Sequence, residues 1–175
     1  IVYNGVDTEK FKPDEQKILN GFTIRQFIGF CRGILALNGI IQCGDIFVLV
    51  AGHLKIPWQT HAGLHEHERS AAGFCSPEQF QANMQNFFAH PAEVVYGTES
   101  AEQAGSRFST AIQELCDQGI PIDHHLVVVA HGTVISLYIA QCCGLPAYPL
   151  WKQLGLPAFL VLDLPIELHQ YGNIR

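Results

Sequence analysis

Apolar and polar positions change their spacing most clearly between residues 126 and 143. A short apolar run, Leu126 to Ala130, stops at His131-Gly132-Thr133, after which apolar residues recur at helical spacing. A short apolar run followed by a helix is typical of a buried strand in a parallel sheet. The pattern therefore predicts a strand over 126–130, a helix over 133–143 and a histidine at the turn between them.

Two further helices are predicted between residues 76 and 116. Ser76 and Pro77 are typical of an N-cap and a first helical position. Ser100 begins the second helix, which the pattern extends to about Cys116, before the breaker Gly119. The apolar residues at helical spacing, which we expect to face inward, are Phe80, Met84, Phe87 and Phe88 in the first helix and Ala104, Phe108, Ile112 and Leu115 in the second.

The remaining segments are shorter or fit more than one element. Spacings of three and four predict a helix over 22–37, and residues 46–54 fit either a strand or the last turns of a helix that leads to a short strand. Residues 58–77 are rich in His, Gly and Glu and are predicted as a loop. A short helix near 149–154 and a strand over 158–163 follow. This order predicts an α/β fold, a three-layer α/β/α sandwich with a mostly parallel sheet.

Length and composition indicate one globular domain. The chain has 175 residues, of which 48% are hydrophobic and 15% are charged, a balance that supports one core and not a disordered chain. No apolar run reaches the ~20 residues of a membrane span. The net charge is −6, with only ten Lys and Arg, which argues against a nucleic-acid surface. We therefore expect a single domain over 1–175, with no nucleic-acid or membrane partner.

The cysteines lack the spacing of a disulfide framework or a redox motif. The chain has six, none in a Cys-x-x-Cys pair, and Cys142 and Cys143 are adjacent in an apolar stretch. Such a distribution favours buried, reduced thiols. No signal peptide is recognisable at Ile1. Together these observations predict a cytoplasmic protein, and they leave its oligomeric state open.

The turn at His131 is a candidate ligand site. In open α/β sheets, ligands collect beyond the carboxyl ends of the strands, where the next helix presents free backbone N–H groups and its positive dipole end. Phosphate is favoured there. Gly132 allows a ligand to approach the backbone, and Thr133 adds a hydroxyl and an amide as donors. The alternative, that His131 is a hydrogen-bonded surface residue, stays open at this stage.

Four segments, taken in order, resemble the histidine phosphatase superfamily in its phosphoglycerate mutase-like branch. Gly63-Leu64-His65-Glu66 resembles the family's Leu-x-Glu segment, and Gly97-Thr98-Glu99-Ser100 with Arg107 resembles its Gly-Glu-Ser helix start. Val128 to Thr133 resembles the family's second catalytic histidine with its glycine. Phe159 to Leu162 resembles the closing strand. Four motifs in the family's order are far more specific than any one of them.

The resemblance implies a phosphoglycerate mutase-like fold and phosphomonoester chemistry through a phosphohistidine. In that chemistry one histidine attacks phosphorus, a glutamate protonates the leaving oxygen, and water then releases phosphate. By resemblance, Glu66 is the proton donor and His131 is the second histidine, a donor to the phosphoryl oxygens. Arg69 is a candidate phosphate ligand, because it follows Glu66 closely and a guanidinium fits phosphate in a bidentate way. We expect a small phosphorylated substrate or phosphate as partner, and neither a cofactor nor a metal ion.

The first part of the chain departs from the family pattern. The family's nucleophile belongs to an Arg-His-Gly triplet, which this sequence does not contain, and Tyr3-Asn4-Gly5 stands roughly where it belongs. The family's Ser-Ser turn and second phosphate-binding arginine are not recognisable between residues 35 and 50. We therefore expect residues 1–45 to be truncated, frame-shifted or diverged, and residues 50–165 to be family-like.

Two functions consequently stay open. The first is a phosphatase that acts on a small phosphomonoester, supported by His131 and Glu66. The second is a catalytically impaired relative that keeps the fold and an anion-binding pocket and acts as a binding or interaction protein. The missing triplet separates the two hypotheses.

Several of the candidate residues also have a structural interpretation. Glu66 and Arg69 fit ordinary loop charges, and Glu99 and Ser100 fit a helix start, with an acid near the positive dipole end and a capping hydroxyl. The phenylalanines of the first helix fit a core stripe, although in the family this variable region lies over the substrate.

The three histidines between residues 61 and 67 have two alternative interpretations. His61, His65 and His67 fit a solvated loop that brings positive charge to an anion. They also fit a zinc site, although their spacing matches no known hydrolase pattern.

Overall fold

Parallel strand pairing brings together segments that lie far apart in the sequence. In the computed structural model, β1 (Leu35–Leu37) lies between β2 (Trp58–Thr60) and β3 (Val127–Val129), and both pairings are parallel. β4 (Ala158–Asp163) pairs antiparallel with β5 (Glu167–Asn173). The structure describes residues 35–37, 51–52, 55–69, 72–73, 75–119, 126–154, 158–163 and 167–173.

Helices lie between β2 and β3 and between β3 and β4 along the chain. A 3-10 turn (Ala62–Leu64) follows β2, and α1 (Pro77–Ala89) and α2 (Ala101–Cys116) come before β3. α3 (Gly132–Cys143) and α4 (Ala147–Gln153) come between β3 and β4. The combination of helices with parallel strands confirms the predicted α/β class.

The two long helices before β3 begin with reciprocal caps. The Ser76 hydroxyl accepts from the Gln79 amide at 3.2 Å, and the Gln79 side chain accepts from the Ser76 amide at 2.9 Å. Ser100 and Gln103 make the same exchange at 3.2 and 2.8 Å. These capping boxes satisfy amides that a helix start otherwise leaves without partners. The predicted helix starts at Ser76 and Ser100 are thus confirmed.

The main apolar core lies between α2 and α3. Phe108 of α2 packs edge-on against Tyr138 of α3, with ring centroids 5.6 Å apart. The positions predicted to face inward on α2 are all buried. On α1, Met84 and Phe87 are buried as predicted, whereas Phe80 and Phe88 are only partly buried. The buried residues of the main core are Leu64, Ala104, Phe108, Ala111, Ile112, Leu115, Val134, Tyr138, Ile139 and Leu150.

The structure corrects the sequence-based elements in the first half of the chain. The predicted helix over 22–37 is wrong at its end, since 35–37 form β1, and its other residues lie outside the described ranges. A three-residue apolar stretch fits a helix or a buried strand equally well. Hydrogen-bonded pairing with a strand on each side stabilises residues 35–37 as a strand. The predicted loop over 58–77 begins with β2 and the 3-10 turn. Of the segment 46–54, only residues 51–52 are described, and they are helical.

The predicted elements of the second half lie within two residues of their predicted bounds. The predicted strand over 126–130 and the predicted helix over 133–143 correspond to β3 and α3. α4 begins two residues before the predicted 149, and β4 has the predicted bounds. β5 was not predicted. The polar residues of Glu167–Asn173 give no apolar pattern of a strand. Pairing with β4 establishes the strand.

The described helices and thiols bear on two further expectations. In the ranges that the structure describes, no helix is long and apolar enough to cross a membrane. Cys75, Cys116, Cys142 and Cys143 carry free thiols and are only partly buried, whereas the cysteine pattern favoured buried thiols. Cys31 and Cys43 lie outside the described residues.

Replacement of the α2 cap tests the contribution of local structure to stability. We expect Ser100→Ala to lower the free energy of unfolding by about 1–2 kcal/mol. Ser100 is 3% exposed, so removal of its hydroxyl leaves the Gln103 amide without an acceptor. Urea unfolding followed by circular dichroism measures the change. Ser106→Ala, at an exposed position within the same helix, is the control and should change stability by less than about 0.5 kcal/mol. Equal effects of the two variants would contradict a specific cap.

Candidate active site

The segment 61–69 connects β2 to the candidate site and is held at its start by His61. The His61 Nδ1 accepts from the Gly63 amide at 3.1 Å, and its Nε2 lies 2.8 Å from the Glu114 carboxylate on α2. Leu64 is fully buried in the main core. The 3-10 turn is therefore attached to α2 by the His61–Glu114 contact and by the apolar packing of Leu64.

Arg107 of α2 is the central anchor of this segment. Its Nη1 donates to the carbonyls of Gly63 at 2.8 Å and His65 at 2.9 Å, and its Nη2 donates to the Glu66 carbonyl at 3.4 Å. The same guanidinium binds the Glu99 carboxylate through Nη2 at 2.7 Å and Nε at 3.3 Å. One side chain therefore binds three carbonyls within four residues and neutralises a carboxylate.

Glu99 closes this network from the other side. Its Oε1 also accepts from the Glu68 amide at 3.0 Å. Burial opposes ionisation, but the Arg107 hydrogen bonds and the Glu68 amide outweigh burial and hold the pKa of Glu99 below its ordinary value of 4.5. The carboxylate therefore stays ionised at neutral pH and ties the start of α2 to residues 66–68.

A close backbone approach holds the other end of the segment. The Thr98 amide donates to the Glu68 carbonyl at 2.8 Å. Gly97 has φ of +98°, and a Cβ placed on it would overlap the Glu68 carbonyl and lie 3.0 Å from the Arg69 Cα. Only glycine fits this left-handed conformation against backbone. The glycine of the Gly-Thr-Glu-Ser segment is thus required by packing.

The Glu66 side chain lies within this frame and is only 16% exposed. Its Oε1 accepts from the His67 amide at 2.7 Å, and its Oε2 lies 3.6 Å from the Arg69 Nη2. Arg69 is 20% exposed, and its Nη1 is buried without a hydrogen-bond partner among the described residues. One nitrogen of this guanidinium, beside the Glu66 carboxyl, therefore has no hydrogen-bond acceptor in the described part of the chain.

His131 lies at the turn that the sequence predicts, as the N-cap of α3. Its Nε2 is also buried without a hydrogen-bond partner in the described part of the chain. Burial lowers the pKa of His131, the Glu66 carboxylate opposes this shift, and the charges of Arg69 and His65 lower it further. These charges act on His131 only because the segment 65–69 lies close to the turn. The structure thus brings together Glu66, Arg69 and His131.

The two residues after His131 occupy the first turn of α3. Backbone N–H groups in this turn have no acceptor within the helix. A Cβ placed on Gly132 meets no described atom within 4 Å, so the backbone borders open space. Thr133 is 2% exposed and is the second residue of α3.

His67 differs most from its sequence-based interpretation. A solvated loop was one expectation, but His67 is 2% exposed and lies on Phe87, with ring centroids 4.2 Å apart. Its Nε2 is 3.2 Å from the Glu99 carbonyl, and burial lowers its pKa. Its Nδ1 has no partner among the described residues. Residues 65–67 belong to neither a helix nor a strand, so no periodic pattern of apolar residues signals the burial of His67.

The histidines of this segment do not converge. His61 contacts the Glu114 carboxylate, and His67 contacts the Glu99 carbonyl. The His65 Nδ1 lies 2.7 Å from the Glu66 carbonyl. In the part of the chain that the structure describes, no three His, Cys, Asp or Glu side chains are arranged to hold a metal ion. The geometry therefore does not support the zinc alternative for this cluster.

The sequence places Glu99 and Arg107 in one family-like motif, with a helix-start role as the alternative for Glu99, and it does not reveal their ion pair. Glu99 precedes the Ser100 cap and binds Arg107, while the acid of the first turn is Glu102. Because Glu99 lies outside α2, helical spacing gives no signal for this contact.

The sequence and the fold match one protein family. The sequence model of the histidine phosphatase superfamily (branch 1) matches residues 43–162. Because this match covers well over half of the chain, the protein belongs to the histidine phosphatase superfamily. No curated protein matches the chain significantly in sequence.

Solved structures with the same fold include several phosphatases. A mycobacterial glucosyl-3-phosphoglycerate phosphatase in complex with VO3 has a TM-score of 0.57 and 16% identity, over 73% of this chain and 66% of that one. The alpha-ribazole phosphatase from Shigella flexneri has a TM-score of 0.52 and 15% identity, over 86% of this chain and 83% of that one. The match spans about two thirds of the mycobacterial enzyme. At these identities the likeness establishes the histidine phosphatase fold.

Replacement of Arg107 tests its role as anchor. We expect Arg107→Lys to lower the free energy of unfolding by about 2–4 kcal/mol, since a lysine cannot reach three carbonyls and a carboxylate at once. Urea unfolding measures the change. The reverse swap Lys152→Arg, at an exposed position on α4, is the control and should change stability by less than about 0.5 kcal/mol. A loss in Arg107→Lys no larger than in the control would show that the network contributes little.

The lowered pKa of Glu99 predicts an acid-sensitive contribution to stability. The folded chain binds fewer protons at Glu99 than the unfolded chain, so the stabilisation is complete above about pH 4.5 and is lost as the pH falls through the folded pKa. We expect Glu99→Gln to be less stable than the parent at pH 7 and to lose less stability between pH 5 and pH 3.5. Urea unfolding across this range is the measurement, with the exposed Glu93→Gln as control. Parallel pH profiles of parent and Glu99→Gln would contradict this assignment.

Proposed function

We propose that the protein is a phosphomonoester hydrolase that acts on a small phosphorylated molecule. The observation that carries this proposal is a pair of buried nitrogens, Arg69 Nη1 and His131 Nε2, that have no hydrogen-bond partner among the described residues and lie beside the Glu66 carboxyl. Buried donors normally have partners, and leaving two of them unpaired at one place costs free energy that an anionic ligand recovers. The amides of the first turn of α3 add favourable dipoles for the same ligand.

The chemistry of the three side chains fits transfer of a phosphoryl group. Arg69 and His131 donate to the phosphoryl oxygens and stabilise the charge that develops on them in the transition state. Glu66 is only 16% exposed and delivers a proton to the leaving alkoxide, which otherwise departs as a poor leaving group. The phosphatases among the solved structures of this fold support the same reaction type.

The nucleophile that attacks phosphorus is the more specific part of the proposed reaction. Family chemistry proceeds through a phosphohistidine, but the sequence contains no Arg-His-Gly triplet to supply its nucleophile. We assign His131 the role of donor, so that another histidine of the chain, or water, attacks phosphorus. Water attack needs no phosphoenzyme, whereas histidine attack leaves an acid-labile phosphate on the protein.

The missing triplet favours a second candidate function. A relative without the nucleophile keeps the Arg69 and His131 donors and binds phosphate groups without hydrolysing them. It then acts as a binding or interaction protein. The two candidates share the anion site and differ only in turnover.

Phosphate release from a panel of small phosphomonoesters tests the proposal. We expect Glu66→Gln to lower kcat by about 10²–10⁴-fold, as loss of a positioned proton donor does. We expect His131→Ala to lower kcat by about 10²–10³-fold, the effect of removing one transition-state donor. His90→Ala is the matched control, because His90 is an exposed histidine at the end of α1.

The outcomes separate the two candidate functions. Turnover that His131→Ala and Glu66→Gln reduce, and His90→Ala does not, supports the hydrolase, and acid-quenched protein that carries an acid-labile phosphate supports the histidine route. Absence of turnover, with vanadate bound by the parent and not by His131→Ala, supports the binding protein. Absence of both turnover and vanadate binding contradicts both candidates.

A further inference from the structure

Five partly exposed aromatic side chains adjoin the candidate active site. We call them the aromatic cluster, and they are Phe80, Phe88, Tyr96, Tyr148 and Trp151. They come from α1, from the segment before α2, and from α4. Trp151 is central, with ring centroids 6.0 Å from Phe80, 5.9 Å from Phe88 and 6.0 Å from Tyr148, on which it stacks.

The aromatic cluster is continuous with the anion site through Arg69. The Arg69 Cζ lies 5.5 Å from the centroid of the Phe80 ring, and the same guanidinium reaches Glu66. Tyr96 contacts both regions, since its ring lies 6.4 Å from Phe80 and 6.1 Å from His67. A ligand whose phosphate binds the Arg69 Nη1 therefore has aromatic faces within reach of its other end.

The aromatic cluster lies over buried residues of α1 and is itself only partly buried. Met84 and Phe87 are fully buried beneath the cluster and fill the interior between α1 and its neighbours. The aromatic cluster borders this core and keeps part of its apolar surface in contact with solvent. A contiguous apolar surface beside convergent polar groups is the usual form of a small-molecule site.

We propose that the substrate is a phosphomonoester whose alcohol carries an apolar aromatic group, and that this group packs against Phe80 and Trp151 while Arg69 and His131 hold the phosphate. This inference rests on the proposed function and specifies its substrate class. The far end of the cluster is occupied by the Lys152 ammonium, 5.6 Å from the centroid of Tyr148. The face next to Arg69, formed by Phe80, Tyr96 and Trp151, is the part that the ring contacts.

Ring packing of this kind adds binding energy equally in the ground state and in the transition state. We therefore expect it to lower KM and to leave kcat little changed. An aromatic contact of this type corresponds to about a tenfold gain in affinity. The preference should appear between ligands that share one phosphorus group and differ only in the ring.

Calorimetric binding of two non-hydrolysable phosphonates provides the test. We expect 2-phenylethylphosphonate to bind the parent chain about tenfold more tightly than ethylphosphonate. Trp151→Leu should bring this ratio close to one and leave the affinity for ethylphosphonate unchanged. Trp58→Leu, at a 43% exposed tryptophan on β2, is the matched control and should keep the parent ratio. Phe80→Leu repeats the test if Trp151→Leu does not fold.

The same titrations distinguish failure of this inference from failure of the proposed function. Equal binding of the two phosphonates by the parent, or a ratio that both aromatic-cluster variants retain, overturns the aromatic substrate and leaves the anion site intact. No binding of either phosphonate overturns both. With the matched esters 2-phenylethyl phosphate and ethyl phosphate, a difference confined to KM supports the inference, and a difference confined to kcat contradicts it.

Discussion

The hydrogen bonds of Arg107 are the constraint on which the candidate site depends. A guanidinium has five N–H donors in a rigid plane, and here they reach three backbone carbonyls and the Glu99 carboxylate at distances from 2.7 to 3.4 Å. The chain leaves the 3-10 turn after Leu64, and residues 65 and 66 belong to no helix or strand, so α2 supplies the partner for their carbonyls. Because α2 is itself packed into the main core, this arrangement transmits the rigidity of the core to Glu66.

Rigidity of this kind allows other groups to remain unpaired. A mobile loop would turn Arg69 and His131 toward water or toward other acceptors, whereas the fixed backbone leaves the Arg69 Nη1 and the His131 Nε2 buried without partners in the described structure. In the proposed site, donors that are held in place favour an anion electrostatically. The Arg107 network fixes the backbone next to these donors, so it contributes both to stability and to the proposed site.

Prediction from sequence succeeded where local structure is self-contained. The caps at Ser76 and Ser100, the apolar face of α2 and the strand-turn-helix around His131 each depend on residues only a few positions apart, and the structure has them close to where the pattern puts them. Prediction failed at β1, where a three-residue strand depends on partners more than twenty residues away. It also failed for His67, which is buried by Phe87 of another element.

For the site, the sequence by itself determined the chemical types and their order along the chain: a glutamate and an arginine in one loop, a histidine after a buried strand, and the motifs of the family. Tertiary structure decided which of these groups meet. Parallel pairing and the packing of α2 against α3 bring the loop to the His131 turn, where the Arg69 Nη1 and the His131 Nε2 have no partner in the described ranges. Burial and unsatisfied hydrogen bonds are properties of surroundings that distant segments build, and therefore no local pattern of residues could reveal them.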